Sequence, residues 1–97
     1  MKAKAKFPLL AEFARGYLHQ DLVPEYGDAL GAGKAYVADL SETERKALVA
    51  ESHKMLALSR EWTIDEVNQE LHRLGAASSF DSVDEFLELL HWFERQP

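Results

Sequence analysis

Glu88-Leu89-Leu90-His91 sets a carboxylate and an imidazole three residues apart, the Glu-x-x-His spacing of metal-binding helical bundles. A dinuclear site needs two such copies and two further glutamates, all facing inward, and the chain has one copy. Glu88 and His91 also lie off the apolar stripe of Phe86, Leu90 and Phe93, so they are expected at the surface. His53, His72 and His91 fall one to a predicted helix, without a partner at i+4, where zinc would need three or four converging ligands. Gly31-Ala32-Gly33-Lys34 invites comparison with a phosphate-binding loop. That loop requires a glycine five residues before Gly33 and a hydroxyl after the lysine, and this chain has Asp28 and Ala35. No serine sits on a strand–turn–helix elbow, and there is no cysteine for a thiolate. The expectation is no catalytic residue, no metal and no cofactor. Tyr17-Leu18-His19-Gln20-Asp21, followed by Glu25-Tyr26, gathers donors and acceptors where a helix must end. A hydrogen-bonded corner is the expected use, with Asp21 accepting turn N–H groups and His19 or Tyr26 bridging to a carboxylate.

The elements that position these groups are helices. Phe7, Leu10, Ala11, Ala14, Tyr17 and Leu18 recur on one stripe, with Pro8 in the first turn where a missing N–H is harmless. Asp28 is a plausible N-cap for a second helix carrying Tyr26, Leu30, Gly33, Val37 and Leu40, in which Gly31 and Gly33 need a close neighbour to be tolerated. Three capping boxes follow. Ser41 to Glu44 opens a helix to about Arg60, with Ala47, Leu48, Met55 and Leu58 inward. Thr63 to Glu66 opens another, with Trp62 stapled on Val67, a stripe of Ile64, Val67, Leu71 and Leu74, and Gly75 at its end. Ser82 to Glu85 opens the last, with Val83, Phe86, Leu87, Leu90 and Phe93 inward and Leu89 and Trp92 widening the stripe. Residues 76–79 form a loop. No segment alternates with period two and no hairpin turn occurs. The pattern predicts an all-α compact bundle of about five short helices, one domain over residues 1–97.

Composition agrees with a small globule. The chain has 97 residues, 46% of them apolar and 29% charged. Its longest apolar runs are too short to span a membrane. Met1 to Lys6 is basic, but Glu12 and Arg15 break the apolar segment that export would require, so a cytoplasmic location is expected. The net charge is −6, and it is uneven: residues 61–97 carry nine acidic and two basic side chains. Such a section repels nucleic-acid backbones and attracts a basic protein.

The corner also resembles a family. Phe7-Pro8-Leu9-Leu10, Phe13, Gly16-Tyr17, His19-Gln20-Asp21 and Glu25-Tyr26 are similar to the opening helix and Tyr-x-His-Gln-Asp signature of contact-dependent growth inhibition immunity proteins. Members often carry an aromatic residue after the triplet, where this chain has Leu22. The resemblance implies a small helical immunity domain in the cytosol. Its partner would be a cognate toxin domain, often a nuclease, blocked at its active site or substrate surface. Tyr17, His19, Gln20, Asp21, Glu25 and Tyr26 would be the family corner, in a structural role. For a basic partner, the expected contacts are Glu61, Glu70, Asp81 and Glu88, which lie off the apolar stripes. Asp65, Glu66, Asp84 and Glu85 are further candidates, although a helix first turn already favours acidic residues. The alternative is a helical adaptor without a toxin partner, using a hydrophobic groove around Trp62 and Trp92.

Overall fold

The structure, a computed structural model, describes residues 7–19 and 26–96. Among the described residues it contains five helices and no strand. These are α1 (Pro8–Tyr17), α2 (Ala29–Ala38), α3 (Glu42–Leu58), α4 (Ile64–Leu74) and α5 (Val83–Glu94). Four of the starts are set by the side chains read from sequence. Asp28 Oδ1 accepts the Gly31 N–H at 2.7 Å. Ser41 and Glu44 form a reciprocal box at 3.2 and 2.8 Å, and Thr63 and Glu66 another at 3.2 and 2.9 Å. Ser82 accepts the Glu85 N–H at 3.2 Å. The third box is only half formed, since the Ser82 cap bond is present and the return bond from the Glu85 side chain is not.

The start of α1 is different. Phe7 precedes it and offers no side-chain cap. Glu51, in the middle of α3, reaches across and accepts the Leu9 N–H (3.0 and 3.1 Å to its two oxygens) and the Leu10 N–H (2.9 Å). Two N–H groups that helix geometry leaves unpaired are thus satisfied from 42 and 41 residues away. At the other extreme, α4 ends at Gly75 with φ +119°, whose N–H bonds the Leu71 and His72 carbonyls. That backbone favours glycine, and an added Cβ would also collide with the stem of Arg15.

Packing is centred on α3 against α5, with α1 laid over α3 and α4, and α2 over α1 and α5. Phe13 and Phe93 meet edge to face at 5.3 Å in the centre. Each buried phenylalanine contributes about 1.5–3 kcal/mol of transfer free energy. Gly33 lets α2 settle on α5, since a Cβ there would lie 2.7 Å from Leu89 Cδ1.

The inward assignments made for two helices need correction. On α3, Ala47 is exposed and Leu58 is 56% exposed, while the buried face is Leu48, Glu51, Ser52 and Met55, continued by Ser59. Apolar spacing missed it because two of its members are a carboxylate and a hydroxyl. Around α2, Tyr26 before it, Leu30 within it and Leu40 after it are half-buried edges, and Tyr36 and Ala32 hold the inward positions beside Gly33 and Val37. The segment after α4 contains buried Ala76 and Phe80. No helix among the described residues is long and apolar enough to cross a membrane.

Candidate partner-binding surface

The C-terminal end of α1 is pinned by the segment joining α4 to α5. The Leu18 carbonyl accepts N–H bonds from Ala77 at 2.7 Å and Ser78 at 3.1 Å. Asn68, on α4, clasps the same segment by both polar atoms of its side-chain amide. Its Nδ2 donates to the Phe80 carbonyl (3.0 Å), and its Oδ1 accepts the Phe80 N–H (2.8 Å). Phe80 is thereby held down against Phe86, ring centres 5.7 Å apart.

Between this segment, the end of α1 and the start of α2 lies a cleft of about 340 Å³. Phe80, Leu18 and Ala29 give it apolar walls, and His19, Ser78 and Ser79 give it hydrogen-bonding groups. Asp28, Asp81 and Glu85 bring three carboxylates to it. Of the eight acidic residues singled out from sequence, Asp81 and Glu85 are the two brought to this cleft. Asp28 joins them although its sequence context explained it fully as an N-cap. Phe80 and Asn68 were missed, and the only signal for them is an aromatic residue in a polar loop and an Asx side chain one helical face away.

The remaining acidic residues have other surroundings. Glu70 is bound in a forked pair to Arg73, with Oε1 3.0 Å from Nε and a second contact between Oε2 and Nη2. Glu66 is occupied in its capping box. Glu61, Asp65, Asp84 and Glu88 are exposed.

Of the family corner, Gln20, Asp21 and Glu25 lie outside the described residues. Tyr17 stacks on Phe13 at 5.7 Å and meets Tyr26 at 5.6 Å. Its hydroxyl donates to Asp39 at 3.4 Å, so the carboxylate it uses comes from the end of α2. Burial, and then the Asp39 charge, raise the Tyr17 phenol above its ordinary value. Tyr36 is held more firmly: its hydroxyl lies 2.9 Å from the Leu9 carbonyl and 2.7 Å from Glu12 Oε1, and burial followed by the Glu12 bond raises its pKa strongly.

The histidines are less scattered than their spacing suggested. His53 Nδ1 lies 2.6 Å and His91 Nδ1 3.6 Å from the two oxygens of Glu94, which brings α3 and α5 together at the surface. The His53 hydrogen bond is the main cause holding the Glu94 carboxyl below its usual range. Among the described residues, no group of three or more histidines and carboxylates is arranged to hold a metal ion. Trp62 and Trp92 are half-buried against the core, and among the described residues Leu58 is the large hydrophobic residue left exposed.

The arrangement thus offers carboxylates, one of them held in a helix cap, and hydrogen-bonding groups around a small apolar floor. No curated protein and no solved structure matches the chain. The family model for the CdiI immunity protein matches residues 6–95, almost the whole length and well beyond the corner that carried the resemblance. By that extent of agreement the chain belongs to the CdiI immunity protein family, whose members neutralise toxins.

Proposed function

We propose that this chain neutralises a nuclease toxin domain of a contact-dependent growth inhibition system by covering its active site or substrate surface. In this reading it is one helical immunity domain over residues 1–97, acts in the cytoplasm, and works by binding and not by turnover. The observation that carries the nuclease assignment is the cleft over Phe80, where Asp28, Asp81 and Glu85 set three carboxylates around a pinned loop. A nuclease groove is built to hold phosphates with Lys and Arg, and carboxylates at comparable spacing can occupy the same donors. A tight complex needs about 800 Å² of surface from each partner. Asp81 and Glu85 are therefore the central contacts, while Glu61, Asp65, Asp84 and Glu88 steer the encounter from the periphery. Glu70 and Glu66 contribute to it less, because each already has a partner within the chain.

The test mixes the purified chain with the toxin domain encoded beside it, at equal molarity. A complex that survives gel filtration and abolishes nucleic-acid cleavage supports the reading. Absence of a complex refutes it, and a complex that leaves cleavage intact removes the active-site part.

A further inference from the structure

The outer face of α3 is not that of a helix turned only to water. Ala47, Ala50, Ala57 and Leu58 are exposed there, and Val49 and Leu56 are half-buried. A helix with solvent alone on that side carries mainly polar residues. The charges among them are cationic. Residues 45–60 hold Arg45, Lys46, Lys54 and Arg60, and their one acid, Glu51, is buried and bonded to α1. That is the reverse of the whole chain, with its net charge of −6. Beside this face runs α5, which carries Asp84, Glu85, Glu88 and Glu94 and neither lysine nor arginine. A groove of about 380 Å³ lies between the two helices, floored by Leu56 and Ala57 from α3 and Leu87 from α5. His53 and His91 meet Glu94 at one end of it. Arg60, about two turns beyond His53, lines the same groove as Leu87, about two turns before Glu94. The helices are therefore antiparallel, and Arg60 lies towards the start of α5, where Asp84 is exposed. Neither Arg60 nor Asp84 has an ion-pair partner among the described residues.

This surface is complementary to itself. A two-fold axis along the groove lays α3 of one copy over α5 of another, closes the two apolar floors on each other and sets each Arg60 against the second copy's Asp84. An acidic partner would match α3 and face the carboxylates of α5, and a basic partner would do the opposite. We infer that the α3–α5 groove is a homodimer interface, occupied by the same groove of a second copy of this chain. Such a dimer leaves the cleft over Phe80 open. Glu85, at that cleft, and Leu87, in the groove, point about 200° apart around α5. Each dimer therefore holds two toxin domains where the toxin-binding reading applies, but dimer formation itself needs no toxin.

The experiment is sedimentation equilibrium of the full-length chain from about 1 to 500 µM. Salt is kept at about 0.15 M, which screens the repulsion between two acidic copies beyond about 8 Å. A reversible dimer is expected, half formed at roughly 10–50 µM, as suits a small patch with a charged rim. Ala57→Glu puts a carboxylate on the exposed floor and Arg60→Glu reverses the pairing charge. Each is expected to weaken the dimer at least tenfold, with circular dichroism unchanged. Arg60→Glu combined with Asp84→Arg exchanges the pair and is expected to return the dimer to within about threefold of wild type. A chain that stays monomeric throughout overturns the inference. So does a dimer that Ala57→Glu and Arg60→Glu leave within about twofold of wild type, because the copies then meet elsewhere, and so does a charge exchange that restores nothing. The toxin domain encoded beside the chain supplies a separate readout: Ala57→Glu is expected to bind it within about twofold of the wild-type Kd. A monomeric chain whose toxin binding Ala57→Glu weakens assigns the groove to the toxin and overturns the inference. A dimer that binds no toxin refutes the toxin-binding reading and supports the groove.

Discussion

Glu51 concentrates the physical conflict of this fold in one side chain. It is 7% exposed and accepts three short contacts from the Leu9 and Leu10 N–H groups. Burial raises its carboxyl above the ordinary range, and the Leu10 and Leu9 bonds and Lys54 pull the other way without cancelling the shift. The folded chain therefore holds this proton more tightly than the unfolded chain does. The associated stabilisation is complete below the ordinary carboxylate value and is lost as pH rises through the raised value. Glu51→Gln removes the titration and keeps one oxygen that can accept both N–H groups, as Oε1 does now at 3.0 and 2.9 Å. Its stability at neutral pH is expected within about 1 kcal/mol of wild type, with a flatter pH dependence above the ordinary carboxylate value in denaturant titrations. Glu51→Ala leaves two N–H groups without acceptors and a void, and is expected to cost about 2–4 kcal/mol. Equal pH profiles for wild type and Glu51→Gln would contradict this account. The neighbouring Ser52 is fully buried, and its hydroxyl has no hydrogen-bond partner. Ser52→Ala is accordingly expected to leave stability unchanged or raise it by about 1 kcal/mol. A clear loss in the same titration would reveal an acceptor for that hydroxyl.

The helices show which parts of the fold were legible before any coordinates. Their starts were, because Asp28, Ser41, Thr63 and Ser82 each satisfy a backbone donor three residues on, a local effect written in local sequence. The end of α4 was legible at Gly75 for the same reason. The inward face of α3 was not. Apolar spacing cannot register Glu51 and Ser52 as core positions, since Glu51 belongs there only through α1, which lies far away in sequence. Gly33 stands between these cases. Its tolerance was predicted to need a close neighbour, and Leu89 and Phe93 supply it. Gly16 and Gly33 therefore make a controlled pair on two helices. Gly16→Ala meets no neighbour and gains helix propensity, for an expected stabilisation of about 0.5–1 kcal/mol. Gly33→Ala gains the same propensity but pushes on Leu89 and the fully buried Phe93, for an expected net loss of about 1 kcal/mol. Thermal unfolding of the two variants decides the matter. A Gly33→Ala protein as stable as Gly16→Ala would mean that α2 and α5 are free to move apart.

At the scale of the molecule, the division of charge along the chain is not a division of its surface. Residues 61–97 hold nine acidic and two basic side chains, yet Asp28 from the first half joins Asp81 and Glu85 at one cleft. Glu12, Asp39 and Glu44, all from the first half, line a second cleft beside the end of α1. Folding built both clefts by closing loops across 50 or more residues in the first case and by stacking three consecutive helices in the second. Neither convergence leaves a trace in local spacing, so residues such as Asp28 read only as caps. Net charge and clustered charge then have different consequences for binding. A net charge of −6 acts over about one Debye length and speeds encounter with a basic partner, an effect that salt suppresses. Carboxylates fixed at a cleft act after contact and mainly slow dissociation. The association rate with the toxin domain is therefore expected to fall by about tenfold or more between roughly 0.03 and 0.3 M salt, while the dissociation rate changes much less. Glu88→Lys, at an exposed position on α5, should slow association and flatten its salt slope with little effect on dissociation. Asp81→Lys should do both and also accelerate dissociation by about tenfold or more, because it reverses a charge at the cleft itself. Surface plasmon resonance at two salt concentrations separates the two. Matching dissociation rates for Glu88→Lys and Asp81→Lys would mean that the cleft over Phe80 carries ordinary surface charge and that the toxin binds elsewhere.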